Sequence, residues 1–534
     1  MSTFNKTKLA TAIAAAGCAM VAGQANAVYV NDGGLGEALI YPYYTVRGGN
    51  ATLMSVVNTT NQAKVVKVRF REGKNTADVL DFNLFLSAWD VWTGAILDTT
   101  DRGNGTGGAM LVSRDTSCTN PTQDEAGNTF AIGVPFRGFQ YTSGTTKDAE
   151  DQTIDRVREG YIEIIELGTI PNLTALGKDV THDKGSATSA RKPECKIASN
   201  LTVAGLTALE NSEEQAQIVG PSGGLFGNAT FLNGNAGTNT GVDAVALNSF
   251  WGSSRNFGYY DAADDQPNLG SGQARSVVVD GANVFISNWS GTSPSAGFRA
   301  TTAVLMRASI INEYAYTDDK VFSTDWVITM PNKRYFVNNG AQLPAFAGGP
   351  SPGLVAAFAP FQRPFKAGGA CDDVSLVSYD REEGTTGGTP GGFSPVRPGA
   401  AGNALCWESN VVAFGKAAGA TEPSRVLGST NQLWYAGFQN NGNPVPSVGA
   451  VAQGEGGWAK LTFARGTSSA PLHQLVNAAD NTVFNGATVS TSGSVTYGGL
   501  PVVGFAVTQA NQGTKASFAS SYGHRFERSI SVGQ

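Results

Sequence analysis

Two neighbouring stretches decide the fold of this chain: KVVKVRFR, residues Lys64–Arg71, and VLDFNLFL, residues Val79–Leu86. The first alternates apolar with basic residues, namely Val66, Val68 and Phe70 with Lys67, Arg69 and Arg71. The second places apolar residues at every second position around Asp81 and Asn83. A period of two is typical of a β-strand with one face in the core and one in water. We therefore expect two strands, the first with its basic face in solvent.

The preceding segment extends this pattern into a small sheet. Ala51–Val57 is apolar on both faces and is expected to be a more central strand. Asn58–Gln62, which follows it, has the composition of a hairpin turn. Together these segments predict an antiparallel meander that opens an immunoglobulin-like sandwich.

Alternation continues along the chain. Further strands are predicted at Tyr161–Leu167, Ser276–Val279, Val284–Ser287, Trp326–Thr329, Arg334–Val337, Gly457–Phe463 and Pro501–Thr508. Asp280-Gly281 and Pro331-Asn332 supply turns between pairs of them. The clearest helical segment is Ser199–Gln217, which Gly205 weakens. The predicted fold class is all-β, with antiparallel β-sandwich domains and long Gly-rich loops.

The composition fits that class. Of 534 residues, 67 are Gly and 15% are charged, against about 7% and about 25% in an ordinary globular protein. The hydrophobic fraction of 41% is ample for a core, which excludes a wholly disordered chain. Gly-rich stretches at 233–241, 347–353 and 384–402 are expected to be loops or linkers. We predict a leader at 1–27, a β-sandwich region of one or two domains at 28–340, a linker at 341–370 and a β-rich domain at 371–534.

The first 27 residues have the pattern of a secretory leader. Lys6 and Lys8 precede an apolar run, and Ala25-Asn26-Ala27 supplies a cleavage site. A lipoprotein cysteine at Cys18 is the alternative interpretation. Removal of two lysines would change the net charge from -6 to -8. We therefore expect an exported protein at the cell surface or in the outer envelope, and an acidic chain that does not bind nucleic acid.

Four cysteines remain after the leader: Cys118, Cys195, Cys371 and Cys406. An even number in an exported chain predicts two disulfides, with three ways to connect them. Pairing of neighbours, Cys118 with Cys195 and Cys371 with Cys406, is the simplest. A zinc site has little support because no Cys-x-x-Cys spacing occurs.

Catalytic patterns are weak. Gly-x-Ser-x-Gly occurs at 220–224 and 349–353; the second fails because Pro352 has no N–H to offer an oxyanion. His182, His473 and His524 are expected to be surface or packing residues, and the acidic pairs Asp372-Asp373 and Glu382-Glu383 to be solvated. We expect no enzymatic activity and no cofactor other than a candidate calcium ion.

Hard oxygen ligands in two turns suggest where calcium would bind. Asp98, Asp101 and Asn104 lie in a Gly-rich turn, and Asp261, Asp264 and Asp265 form a second acidic turn. Neither has the spacing of a helix-loop-helix calcium site. Asp and Asn also favour turns for conformational reasons.

Aromatic clusters are the remaining candidate contact residues. They are Tyr41-Pro42-Tyr43-Tyr44, Trp89 with Trp92, Tyr259-Tyr260 and Trp434-Tyr435. Exposed rings could stack on sugars or anchor a partner, whereas buried rings would fill the core. Tyr41–Val46 is apolar and near the mature N-terminus, so we expect it to be able to pair with the sheet edge of a neighbour.

Several segments resemble a family of exported proteobacterial proteins described only as cell-surface proteins. They are Leu39–Tyr44, Val68–Gly73, Val79–Leu86, Asp90–Trp92, Asp325–Thr329, Asp380–Glu383 and Gly499–Phe505. The resemblance spans nearly the whole mature chain. It implies an envelope or extracellular location and brings no catalytic residues with it.

The function predicted from the sequence is a structural or assembly role at a bacterial surface, such as a surface-layer or filament subunit. Partners would be further copies of the chain or other envelope proteins. The alternative is an extracellular adhesion module for carbohydrate or a host surface. An exported hydrolase ranks third.

Overall fold

The computed structural model describes most of the chain beyond the leader. The described residues are 27–102, 107–142, 148–182, 192–213, 215–252, 256–291, 294–317, 319–337, 357–381, 385–386, 404–415, 422–434, 456–463, 466–467, 470–471, 473–485, 488–511 and 517–533. Residues 1–26 of the predicted leader, the Gly-rich stretch 347–353 and all of the stretch 384–402 except residues 385–386 lie outside them. The architecture is mostly antiparallel β-sheet, which confirms the predicted all-β fold class.

Residues 28–252 form two facing sheets. In chain order the strands are β1 (Tyr29–Val30), β2 (Ala38–Thr45), β3 (Asn50–Asn58), β4 (Ala63–Glu72), β5 (Asp78–Leu86), β6 (Val91–Asp98), β7 (Ala109–Val112), β8 (Cys118–Asn120), β9 (Val134–Pro135), β10 (Glu159–Ile170), β11 (Leu225–Asn233), β12 (Thr238–Asp243) and β13 (Val245–Asn248). One sheet has the order β1-β13-β2-β10-β4-β5-β8, and the other β12-β11-β3-β6-β7-β9. Apolar side chains from both sheets, among them Val68, Phe70 and Trp92, form the core between them.

The predicted hairpin between residues 51–57 and 64–71 is wrong. β3 pairs with β6 and β11, whereas β4 pairs with β5 and β10 in the other sheet. The turn between β3 and β4 therefore crosses from one sheet to the other. Asn58 holds this crossing, because its amide donates to the carbonyl oxygens of Gln62 and Ser87 while its side-chain oxygen accepts from Thr60. The pairing of β4 with β5 agrees with the predicted meander, and the immunoglobulin-like arrangement stays a prediction.

The predicted solvent-exposed face of β4 is also wrong. Val66, Val68 and Phe70 lie in the core as expected, but Lys67 and Arg69 are each 1% exposed. Residues 261–267 cover them and supply backbone carbonyl oxygens as acceptors. Burial of a charged group is tolerated when its donors are satisfied in this way.

The second half of the chain adds three larger sheets. Its strands are β14 (Arg275–Asp280), β15 (Asn283–Asn288), β16 (Met306–Arg307), β17 (Ser309–Ala315), β18 (Phe322–Thr329), β19 (Asp372–Asp373), β20 (Ser375–Asp380), β21 (Thr385–Thr386), β22 (Ala404–Leu405), β23 (Ser409–Phe414), β24 (Gln432–Trp434), β25 (Gly456–Thr462), β26 (Gly466–Thr467), β27 (Ala470–Pro471), β28 (Gln474–Asn477), β29 (Asn481–Asn485), β30 (Thr488–Ser492), β31 (Ser494–Gly498), β32 (Leu500–Pro501), β33 (Val503–Asn511), β34 (Ser517–Gly523), β35 (Arg525–Glu527) and β36 (Ser529–Gly533). The larger sheets have the orders β14-β15-β29-β30, β21-β20-β25-β17-β35 and β24-β23-β18-β33-β34.

The linker predicted at 341–370 lies between strands that share sheets. β18 precedes this segment and is hydrogen-bonded to β23 and β33, which follow it. The largest core cluster also joins Ile40 and Tyr161 of the first half to Trp326 and Leu461 of the second. The two halves are therefore packed through a common core.

Helices are short. They are α1 (Phe139–Thr142), α2 (Ala175–Val180), α3 (Val203–Glu213), α4 (Ala296–Leu305) and α5 (Lys333–Val337), with 3-10 turns at Arg47–Gly49, Thr99–Arg102, Ile154–Arg158 and Ala198–Asn200. α3 confirms the core of the predicted helical segment at 199–217. α5 replaces the strand predicted at 334–337, because this turn of helix places Tyr335 and Phe336 in the core rather than at a sheet edge. In the described residues we find no helix with the length and apolar character needed to span a membrane.

Candidate functional site

The outward face of the β12-β11-β3-β6 sheet is the most distinctive surface of the first half. We call it the uncharged face. On β6, β3 and β11 every outward residue is apolar or neutral: Val91, Thr93, Ala95, Leu97, Ala51, Leu53, Ser55, Val57, Phe226, Asn228, Thr230 and Leu232. Asp243 on the edge strand β12 is an acidic residue of the same face. Such a surface presents little to repel a neighbouring apolar surface.

Several large apolar side chains on this face reach solvent. Leu53, Val91, Phe226 and Leu232 are 40%, 48%, 37% and 40% exposed, respectively. The strand register sets Val57 beside both Val91 and Phe226, so one end of the face is apolar across three strands. Contiguous exposed apolar patches of this kind mark interaction surfaces.

Trp89 lies two residues before Val91, in the turn between β5 and β6. Its side chain is 69% exposed and its backbone has a φ of 60°. The backbone N–H of Trp89 donates to the carbonyl oxygen of Thr60. This hydrogen bond connects the turn to the crossing between β3 and β4. A left-handed backbone conformation costs a tryptophan about 1–2 kcal/mol. The turn therefore keeps the indole ring exposed to solvent in a strained backbone conformation.

The first predicted calcium site is described only in part. The carboxylate of Asp98 accepts hydrogen bonds from Thr100 and forms an ion pair with Arg158 at 2.5 Å. Burial alone would raise the pKa of Asp98, but Thr100 and Arg158 lower it below its usual value. The backbone of Asp101 lies in the 3-10 turn, and Asn104 lies outside the described residues. Calcium binding here stays a prediction.

The second acidic turn surrounds a side-chain cation. The Nζ of Lys67 donates to the carbonyl oxygens of Asp261, Ala262 and Asp264 at 2.5–3.0 Å. Burial and the nearby Arg69 lower the pKa of Lys67 to about 8. The oxygens of this turn thus hold an ammonium group of the chain itself. Among the described residues no group of three His, Cys, Asp or Glu side chains is arranged to hold a metal ion.

Ser222 of the first Gly-x-Ser-x-Gly match lies beside a buried ion pair. Its Oγ is 2.6 Å from Nζ of Lys64, which is 2.7 Å from Oε1 of Glu166. The backbone N–H groups of Ser222 and Gly223 both donate to the carboxylate of Glu166. The donors that an oxyanion would need are therefore already occupied. The second match lies outside the described residues.

The three histidines lie in different places. His182 has Ser87 Oγ 3.0 Å from its Nδ1 and Thr116 Oγ1 3.3 Å from its Nε2, and Asp90 is 3.5 Å away. His473 is fully buried, with its ring nitrogens against the carbonyl oxygens of Pro360 and Asp373.

His524 packs on Trp326, and burial lowers its pKa to about 4. Its Nε2 lies 3.0 Å from the carbonyl oxygen of Val327. The contacts of the histidines in the described part of the chain therefore do not bring them to a common site.

The predicted disulfides form between neighbouring cysteines. Cys118 is bonded to Cys195 and Cys371 to Cys406, with sequence separations of 77 and 35 residues. This confirms the simplest of the three connectivities. Cys118 belongs to a small core under β4 and β5, together with residues of α2 and the following turns.

The interpretation of Tyr41–Val46 as a segment free to pair with a neighbour is wrong. It belongs mainly to β2, which is fully buried and lies between β13 and β10. Tyr41 donates to the carbonyl oxygen of Ser55, and Tyr43 to the carboxylate of Glu159. Of the other aromatic clusters, Trp92 and Tyr259 are also buried, so Trp89 is the exposed indole of its pair. The side chain of Trp434 and all of Tyr435 lie outside the described part.

Comparison with protein-family models, with curated proteins and with solved structures finds no match for this chain.

Proposed function

We propose that this chain is an exported cell-envelope protein with a structural role, and that copies of it associate through the uncharged face. The observation that carries the proposal is the exposure of Leu53, Val91, Phe226 and Leu232 on one sheet whose three inner strands have no charged residue at their outward positions. Two disulfides and the leader pattern of residues 1–27 support export. The low charged fraction of 15% fits a protein made for contact.

The size of the face indicates what kind of association it supports. Four strands spaced about 4.8 Å apart and about seven residues long cover roughly 400 Å². That equals a large patch on a monomeric protein, but it is about half of what one partner buries in a stable complex. One such contact is weak. A weak contact suits an array in which each copy makes several contacts, because multivalent binding is much tighter than any single contact.

The test is to place a charge at the centre of the face. Leu53→Lys puts an ammonium between Ala95 and Thr230, and Leu173→Lys is the control because Leu173 is 81% exposed and lies outside the face. Sedimentation velocity over a range of concentrations, with negative-stain microscopy, is the measurement. Circular dichroism checks that each variant is folded.

We expect the wild type and Leu173→Lys to associate as concentration rises, and Leu53→Lys to remain monomeric. A wild-type protein that stays monomeric and forms no ordered array would overturn the proposal. So would a Leu53→Lys variant that associates as strongly as the wild type. Fractionation of cells tests the proposed location separately.

A further inference from the structure

A cleft with a volume of about 720 Å³ lies between the two halves of the molecule. The first half contributes the ends of β1 and β12, and the second contributes β14, β16, the start of β33 and the β34–β35 turn. Ligand sites are common in clefts of this size between packed units. The cleft is lined by two arginines, Arg307 and Arg528.

The two guanidinium groups meet at the end of α4. Nη1 of Arg307 donates to the carbonyl oxygens of Val304 and Met306 at 3.0 and 2.9 Å. Arg528 donates to the same two oxygens, from Nη1 to Met306 at 3.0 Å and from Nη2 to Val304 at 3.2 Å. Carbonyl groups at a helix C-terminus attract cations, which explains why both arginines gather there.

The carbonyl groups use only part of the donor capacity. Each guanidinium carries five N–H donors. Among the described residues, Nε and Nη2 of Arg307 make no hydrogen bond, and neither arginine forms an ion pair within 4 Å. Phe526, which is 47% exposed, lies under the guanidinium carbon of Arg307 at 3.9 Å and near that of Arg528 at 5.4 Å. The ring packs against both groups, and it lines the cleft together with them.

Two like charges are therefore held together without a carboxylate of the described residues in contact with either. Arg307 is 7% exposed, and its pKa is held well below its usual value by burial and by Arg528. Burial lowers the pKa of Arg528 to about 10, so it is still charged at neutral pH. Asp32 attracts both guanidinium groups and Asp280 attracts that of Arg528, but neither carboxylate is in contact with them. Asp243 lines the cleft together with Asp32 and forms no ion pair with these arginines. A buried charge without a counterion in contact is costly, and an anion bound in the cleft would relieve part of that cost.

We infer that Arg307 and Arg528 bind the anionic group of an acidic saccharide. Guanidinium groups suit carboxylate and phosphate oxygens because their donors match in pairs. The exposed rings of Phe526 and Tyr522 offer apolar surface on which a sugar ring can stack. Asn31 and Ser521 also line the cleft. Asn31 already donates to Leu35 and Ser521 to Gly241, but each side-chain oxygen keeps a lone pair that can accept from a hydroxyl group. The cleft meets the uncharged face at Asp243, but neither arginine belongs to that face, so either proposal can fail without the other.

The test is calorimetric titration of the protein with glucuronate, glucose 6-phosphate, glucose and sodium sulfate at matched ionic strength. We expect both acidic sugars to bind and glucose to bind at least tenfold more weakly. Arg528→Gln should weaken binding of the acidic sugars at least tenfold. Arg525→Gln is the control because Arg525 is an exposed arginine three residues earlier and does not line the cleft; it should change affinity less than twofold.

Arg528→Lys covers the case in which Arg528→Gln does not fold. It keeps the charge but loses the paired donors, so binding should weaken while the fold is kept. Failure of every anion to bind would overturn the inference. Equal affinity for sulfate and for the acidic sugars would overturn the saccharide assignment, and equal effects of the changes at 525 and 528 would overturn the role of Arg528.

Discussion

The Nζ atom of Lys64 lies 2.7 Å from Oε1 of Glu166, and both side chains are completely buried. Removal of one partner leaves the other charge buried and unpaired, which costs about 3–5 kcal/mol. We predict that Lys64→Met or Glu166→Gln lowers the free energy of unfolding by about that amount, measured by urea denaturation. Lys196→Met is the matched control, because the Lys196–Glu194 pair is 76% and 68% exposed and surface pairs contribute about 0–1 kcal/mol. Equal losses at both sites would contradict the prediction.

The buried carboxyl group of Glu408 makes the free energy of unfolding of the protein depend on pH. Burial raises its pKa from 4.5 to about 8, and its Oε2 has no hydrogen-bond partner among the described residues. The folded state therefore binds a proton that the unfolded state has already released, so stability falls as pH rises from about 4.5 to about 8. Glu408→Gln mimics the protonated acid and should reduce this slope. Urea denaturation at several pH values measures how the free energy of unfolding changes with pH. Glu313→Gln, at an exposed position, is the control and should keep the wild-type slope. An unchanged slope in Glu408→Gln would show that Glu408 does not cause the pH dependence.

The disulfides should differ in what they contribute. Loop-closure entropy predicts about 4.5 kcal/mol for Cys118–Cys195, which are 77 residues apart, and about 3.8 kcal/mol for Cys371–Cys406, which are 35 apart. We predict that replacing either pair with alanine lowers the midpoint of thermal unfolding, and the first pair more. Non-reducing peptide mapping checks the connectivity. Free thiols in protein isolated from the envelope would show that the bridges do not form there.

Trp89 links stability to association. Asparagine adopts a positive φ more readily than tryptophan, so Trp89→Asn should raise the free energy of unfolding by about 0.5–1 kcal/mol. The same change removes an exposed indole beside the uncharged face and should weaken self-association. Leu173→Asn, at another exposed position, should do neither. A loss of stability in Trp89→Asn would show that the indole makes stabilising contacts.

Local sequence patterns predicted most strands correctly, because the alternation of apolar and polar residues depends only on residues that are close in the sequence. Val66, Val68 and Phe70 face the core as their spacing indicates, and Asp280-Gly281 joins β14 and β15 as predicted. The environment of Lys67 could not be predicted in this way, because the residues that cover it follow about 195 positions later. The prediction that Tyr41–Val46 is free to pair with a neighbour is wrong for the same reason. β10 and β13, which pair with β2, come more than 100 residues later in the sequence.

The candidate surfaces were harder to find than the strands. The outward positions of β3 and β6 carry no charged residue in the sequence. This pattern predicts the uncharged face if both segments are known to belong to one sheet. Arg307 and Arg528 belong to no motif, and 220 residues separate them. Their convergence depends on α4 ending where β35 passes, which only the tertiary fold determines.

The position of β18 between β23 and β33 has a consequence for how the protein is made. Among the described strands its neighbours come from residues 409–414 and 503–511, so one of its edges stays open until residue 414 has been made and the other until residue 511 has been made. During that interval the exposed backbone can pair with strands of another molecule. A chaperone that holds the nascent second half extended should therefore increase the yield of native protein more than any stabilisation of residues 28–252.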